Sequence, residues 1–229
     1  MHKGNFKEMY LNTEQLDLGK FKVATSETLY MTVVSMLFVI IIGLILGLLL
    51  YNLGKSKRIG AKIFYNLLSI ISNICRSVPF IILIILLIPF TKALMGTFLG
   101  AKAAIPSLVI SAAPFYGRLV EMAFREVDHG VLEAANSMGA NKWELVTKVL
   151  IPESLPALIS GVTVTVITMI GFTAMAGAIG AGGLGGLAYQ EGFMRNRPTI
   201  TLFATICVLV IVFMVQWLGD WAVKKTDKR

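Results

Sequence analysis

The residue types that carry covalent or metal chemistry are few in this chain and poorly spaced for it. His2 and His129 stand far apart, and Cys75 and Cys207 each lie in or beside an apolar run, in no Cys-x-x-Cys or Cys/His cluster. No metal site is expected, and the cysteines read as small packing residues. Gly54-Lys55-Ser56 invites a phosphate-binding loop, but the glycine such a loop needs five residues earlier is Leu49, inside an apolar run. The glycine-rich residues 180–186, GAGGLGG, lack the preceding strand and following helix of a nucleotide loop. What is left is residues 133–156, EAANSMGANKWELVTKVLIPESLP, a polar island between two long apolar segments. Glu133, Ala134 and Ala135 open it, Gly139 breaks it, and a second helical run is expected to end at Pro152 and Pro156. Val131, Ala135 and Met138 fall at i, i+4, i+7, and Trp143, Val146 and Leu150 at i, i+3, i+7. Each set predicts the apolar face of a short helix. Two short amphipathic helices joined at a glycine fit a protein partner rather than a reaction.

The elements around the island read as membrane spans. Of 229 residues 56% are hydrophobic and only 15% charged, with a mean hydropathy of +0.76; a soluble domain carries about a quarter charged residues. The net charge of +8 gathers at the ends of apolar runs, the positive-inside pattern rather than a nucleic-acid stripe. Five spans are expected, over residues 28–50, 70–90, 103–124, 158–179 and 201–221. Each is long enough to cross a hydrocarbon core about 30 Å thick. Residues 1–27 precede them with mixed charge and no removable signal pattern, with a weak helical pattern near Tyr10 to Leu18. Lys55, Lys57, Arg58 and Lys62 close the first span, and residues 224–229 form a basic tail. The count places the N-terminus outside, and the island and tail in the cytoplasm. Lys92, Lys102, Arg195 and Arg197 on the outer side run against that bias.

Within the spans, Arg76 falls in the second, either snorkelling to the headgroups or facing the bundle near a cytoplasmic gate. Arg118 and Glu121, three apart in the third span, share a helix face and can pair. The fourth span is rich in small residues, with Ala174/Ala178 and Ala176/Gly180 at the spacing that lets helix backbones meet in lipid. The glycine run after it is expected to be a flexible or tightly packed outer loop, a gate or a close backbone contact. Met169 and Met175 are candidates for lining a path, against the commoner use of methionine as adaptable packing.

The island resembles the hallmark of the membrane subunits of binding-protein-dependent ABC importers: EAA, three residues, G, nine residues, I, one residue, LP. Here it reads Glu133-Ala134-Ala135, Gly139, Val149, Ile151-Pro152, with two apolar replacements. Arg76-Ser77-Val78-Pro79-Phe80, Pro89-Phe90-Thr91, Ala112-Ala113-Pro114-Phe115, Ser137-Met138-Gly139-Ala140 and residues 180–185 further resemble the methionine-importer branch. The resemblance implies an all-α permease domain over residues 28–223 of type I importer fold, five spans and a coupling helix in a cytoplasmic loop at 128–156. It implies no cofactor in this chain, ATP and magnesium being bound by a partner ATPase. Its implied partners are a second copy of the chain, two ATPase subunits, an extracytoplasmic substrate-binding lipoprotein and membrane lipid, with no nucleic acid. The implied location is the bacterial inner membrane. Glu133, Ala134, Ala135, Met138, Gly139 and Pro152 would couple to the ATPase; Arg76, Met169, Met175, Gly180, Gly182 and Gly183 are the gate or pathway candidates. In that reading Glu133 sits at the start of the first short helix, where its charge favours the dipole. Rival readings are an importer for another amino acid or a phosphonate, and a secondary transporter. A secondary transporter usually shows internal repeats and intramembrane acids or bases, neither of which stands out here. An enzyme would want clustered His, Asp or Glu.

Overall fold

A computed structural model describes Tyr10 and residues 16–227, and every regular element among them is helical. The weak helical pattern at residues 10–18 lies mostly outside the described residues. In chain order the helices are α1 (Leu18–Lys55), α2 (Ile59–Ser77), α3 (Phe80–Leu86), α4 (Ile88–Met95), α5 (Ala101–Arg125) and α6 (His129–Ser137). They continue with α7 (Lys142–Glu144), α8 (Ile151–Ala176), α9 (Gly183–Gly186) and α10 (Pro198–Thr226). Wide π-type turns at Leu145–Leu150 join α7 to α8, and further ones occupy Gly177–Ala181 and Leu187–Phe193. Among the described residues four helical stretches are long and apolar enough to cross a membrane: Leu18–Lys55, Ala101–Arg125, Lys142–Ala181 and Pro198–Thr226. A fifth crossing exists if α2 and α3, bent by 108°, count as one broken span.

That bend corrects the expectation of a straight helix over 70–90. The helix begins earlier, at Ile59, and stops at Ser77 because Pro79 forces the residue before it out of the α region. Pro79 itself sits at φ −55°, ψ 133°, and α3 restarts after it. Leu87 makes the next corner, and Pro89 lies in the first turn of α4, where no helical N–H is lost. α4 ends at Gly96, whose φ of 75° closes the turn with an N–H bond to the Lys92 carbonyl.

The chain divides into two units, each drawing segments from the same long helices. The first comprises the described part of residues 1–37 with Val78–Ser111 and Val166–Val215. Its centre is backbone against backbone. A Cβ on Gly177 would come within 2.5 Å of the Gly182 carbonyl and collide with the Gly186 nitrogen, and one on Gly185 would strike the Ala174 backbone. Ala174, read from the sequence as a packing position, therefore meets the glycine run itself. Gly180, Gly182 and Gly183 have φ of 106°, 83° and 73°, a left-handed path that L side chains avoid. The run is a tightly packed left-handed turn between short helical pieces rather than a flexible loop. Phe80 stacks on Phe172 at 4.4 Å in the same unit.

The second unit holds Phe38–Ser77, Ala112–Thr165 and the described part of residues 216–229. Here α1 presents Gly43 and Gly47, four apart, to α5. A Cβ on Gly43 would lie 2.5 Å from Tyr116 Cδ1, and one on Gly47 2.7 Å from the Gly117 carbonyl. Lipid tails are as apolar as leucine, so helices here associate by close van der Waals approach rather than by escape from water. Tyr116 and Phe124 are fully buried beside that seam, with Tyr51 edge-on to Phe124 at 5.7 Å.

Gly177→Ala is expected to lower stability by about 3 kcal/mol, the upper end of overpacking costs. Gly171→Ala, on the same helix with nothing within 4 Å of an added Cβ, should be neutral. Thermal melts of both variants in one detergent test the pair; equal melting points would refute the backbone-contact reading.

Candidate functional site

The polar island forms a built corner. Asp128 caps α6, its Oδ1 accepting the Gly130 N–H at 2.6 Å. Because that cap starts the helix at His129, Glu133 is the fifth residue of α6 and not at its start, as the sequence reading had it; Asp128 faces the helix dipole instead. At the other end Met138 donates its N–H to Ala134, Gly139 to Asn136 at 3.0 Å and Ala140 to Ala135 at 3.1 Å. The last two bonds make a Schellman closure, with Gly139 at φ +84° as its left-handed residue. Asn141 then opens the next helix with a reciprocal capping box. Its Oδ1 accepts the Glu144 N–H at 2.9 Å, and its own N–H donates to Glu144 Oε2 at 3.1 Å. The Asn-x-x-Glu spacing is the sequence signal for this cap.

The second helix does not end at the prolines. It continues through the π-type turns Leu145–Leu150 into α8, with Pro152 in the first turn of α8 and Pro156 inside it. The wide turns bond i to i−5, as Ile151 N–H does to the Val146 carbonyl, so Pro152 enters where the i−4 pattern is already relaxed. Ser154, between the prolines, donates its hydroxyl to the Leu150 carbonyl at 2.7 Å.

The buried face of α6 is Leu132 and Ala135. Val131 and Met138, expected to share the buried face with Ala135, are instead exposed, Met138 at 82%. Trp143 is 74% exposed, while Leu150 is buried and Val146 intermediate. Glu133, Ala134 and Pro152 are exposed as well. The loop thus offers an outward surface of Val131, Met138 and Trp143 with a carboxylate at Glu133, a composition suited to covering by another protein. At its root a cavity of about 180 Å³ is lined in part by Glu126, Asp128, Glu153 and Asp227.

Just before Asp128 in the chain, α5 carries a charge cluster centred on Glu121. Glu121 is fully buried; Arg125 Nη2 donates to its Oε1 at 2.7 Å, Arg118 Nη1 donates to its Oε2, and the Tyr65 hydroxyl donates to Oε1 at 3.3 Å. The Arg118–Glu121 pair expected from the sequence is present. Arg125 and Tyr65 were not foreseen, although Arg125 lies four residues from Glu121 on the same face. A buried carboxylate needs such partners.

The remaining candidates are dispersed. Arg76 ends α2, exposed, with its guanidinium 6.0 Å from the centre of the Phe115 ring. Met169 is fully buried, a packing position with no opening to line, while Met175 is 47% exposed. Gly182 and Gly183 are held by α1: Glu27 Oε2 accepts the Gly183 N–H at 2.7 Å and Thr28 Oγ1 the Leu184 N–H at 2.9 Å. The Gly180 carbonyl accepts the Gly100 N–H at 2.9 Å.

A multi-pass helical chain with a capped two-helix loop carrying Glu133-Ala134-Ala135 and Gly139 defines a transport permease subunit. Residues 40–228 match the family model described as binding-protein-dependent transport system inner membrane component, and the chain belongs to that family. It is 56% identical over 214 residues to the methionine import system permease protein MetP of Bacillus subtilis (strain 168), covering 93% of this chain and 96% of that one. It is 48% identical over 207 residues to a probable D-methionine transport system permease protein MetI of Pasteurella multocida (strain Pm70), covering 90% and 95%. Among solved structures it is similar to the MetNI methionine ABC transporter in inward-facing conformations. The TM-score is 0.88 with 42% identity, over 92% of this chain and 98% of that one.

Two outcomes are expected. Gly139→Ala should destabilise the corner by about 1–2 kcal/mol, the cost of a left-handed non-glycine residue, since nothing crowds the added Cβ. Hydrogen exchange should then rise at Met138 to Ala140 and not in α5. The Lys148 ammonium and the Asn141 N–H hold the Glu144 carboxyl below its ordinary value. A depressed acid contributes stability above its unfolded pKa and loses it as pH falls through the folded one. Trp143 emission should therefore change on acidification below the ordinary glutamate range in the parent protein and not in Glu144→Gln.

Proposed function

We propose that this chain forms the membrane pathway of an ATP-driven importer of methionine, in D or L form. In this reading two copies pair, two cytoplasmic ATPase subunits bind ATP and magnesium, and an extracytoplasmic lipoprotein delivers substrate. The similarity to MetP across nearly the whole of both chains carries the methionine assignment. The position of the chain is the inner membrane, with residues 1–27 outside and the 128–156 loop and the 224–229 tail in the cytoplasm. The basic residues at the ends of α1 and α10 support that orientation.

The 128–156 loop then seats in the ATPase. Met138 and Trp143 supply apolar area, Glu133 an exposed charge for a basic partner group, Ala134 close approach, and Gly139 the corner that fixes the angle between two short helices. The acidic cavity at the loop's root fits a lysine or arginine of the same partner. Closure of the ATPase dimer on ATP would move both loops and rock the spans between inward- and outward-facing states. Of the pathway candidates, Met175 and Arg76 carry exposed side chains that a second copy or substrate could meet, and Gly180, Gly182 and Gly183 form a turn whose shape a gate could use.

Reconstitution with the ATPase and binding protein tests this. ATP-dependent methionine uptake is expected, and Glu133→Arg and Trp143→Glu should each reduce it at least about tenfold with melting points unchanged, because both side chains point outward. Uptake without the ATPase would sink the importer reading. ATP hydrolysis that responds to the binding protein but not to methionine would leave the architecture and replace the substrate.

A further inference from the structure

We propose that the corner between α1 and α2 is a binding site for the phosphate headgroup of an anionic phospholipid. The sequence puts Lys55, Lys57, Arg58 and Lys62 within eight positions and no Asp or Glu anywhere between Glu27 and Glu121. The fold adds a fifth cation. Arg125 Nη2 lies 2.9 Å from where a Cβ on Gly54 would stand, and 3.5 Å from the Tyr65 hydroxyl. Tyr65 follows Arg58 and Lys62 by seven and three positions, so the three fall on one stripe of α2, and that stripe meets Arg125. The Arg58 carbonyl accepts the Lys62 N–H at 3.1 Å, which keeps Arg58 in helical register.

Neutralising charge is short. Glu121 is already shared between Arg118 and Arg125. Lys55 lies over the uncharged Tyr51 ring at 4.3 Å, its Nζ 2.5 Å from the hydroxyl. Among the described residues no carboxylate stands within ion-pair distance of Lys57, Arg58 or Lys62. Beside this surplus α2 exposes Ile59, Ile63 and Phe64, and none of its residues is buried. Cations at the end of a span, next to an unfilled apolar face, match an amphiphile with an anionic head and acyl chains, not a soluble anion alone. A phosphate bridging Arg58 and Lys62 to Arg125 would tie α2 to α5 outside the Glu121 cluster.

The site rests on the chain crossing a membrane and not on the substrate assignment, and its test uses neither nucleotide nor methionine. Native mass spectrometry of the detergent-extracted transporter, with phosphatidylglycerol or phosphatidylcholine added back, reads retained lipid directly. Phosphatidylglycerol should be retained at least tenfold over phosphatidylcholine. Arg58→Gln/Lys62→Gln should abolish the preference, while Lys92→Gln/Lys102→Gln, exposed cations elsewhere, should keep it. Equal retention of both lipids, or a preference intact in Arg58→Gln/Lys62→Gln, overturns the site. Loss of the preference on adding glycerol 3-phosphate at the lipid's own concentration overturns the lipid in favour of free phosphate. Should the double variant fail to elute as a folded species, Lys62→Gln replaces it, alongside a salt titration of the parent. A preference that 0.5 M salt abolishes counts against the site, since a screening length of about 5 Å or less removes diffuse headgroup attraction before it removes direct contact with Arg58, Lys62 and Arg125.

Discussion

Inside a membrane no solvent is available to backbone amides, and every departure from a helix must find its own partners. That constraint explains where this chain breaks. α2 stops at a proline that has no amide to satisfy, and α4 stops at a glycine that folds its N–H back onto Lys92. The glycine run leaves helical geometry at Gly180, Gly182 and Gly183, and α1 meets the freed N–H groups with Glu27 and Thr28. Even Pro152 of α8 follows the rule, entering in the first turn of the helix just after wide turns that have already relaxed the i−4 pattern.

Charge obeys the same economy. Glu121, the one fully buried acid among the described residues of the second unit, draws two arginines and a tyrosine. Both arginines keep part of their surface outward, so the cluster satisfies the carboxylate without burying the cations. The loop at residues 128–156 follows α5 directly. Leu132, Ala135 and Leu150 turn inward, while Val131, Met138 and Trp143 turn outward. A surface that is rigid underneath and unfilled above is what a partner needs to push against.

The sequence disclosed the long apolar helices, because twenty-odd apolar residues have few alternatives to spanning, and the Glu133 to Gly139 pattern, because its spacing is unusual. It concealed which face of α6 turns inward. Val131, Ala135 and Met138 match a helical stripe as well as Leu132 and Ala135 do, and the π-type turns packed against α6 favour the second. The break at Pro79 was hidden by apolarity on both sides, since hydropathy does not record direction. Glu27 could not be assigned from sequence at all: its partner Gly183 lies 156 residues away and offers only a backbone N–H, which every residue but proline possesses.

That distance bears on how the protein is made. Glu27 and Thr28 leave the ribosome with the first helix, whereas Gly183 and Leu184 follow only after three further spans. At roughly 5–20 residues per second the carboxylate waits on the order of ten seconds for its amide. Until then the first helix can carry Glu27 only at the water boundary, and the glycine turn, costly in backbone entropy, has nothing to close on. Assembly of the first unit is thereby postponed until most of the chain is inserted, and an early-truncated product would lack the latch altogether.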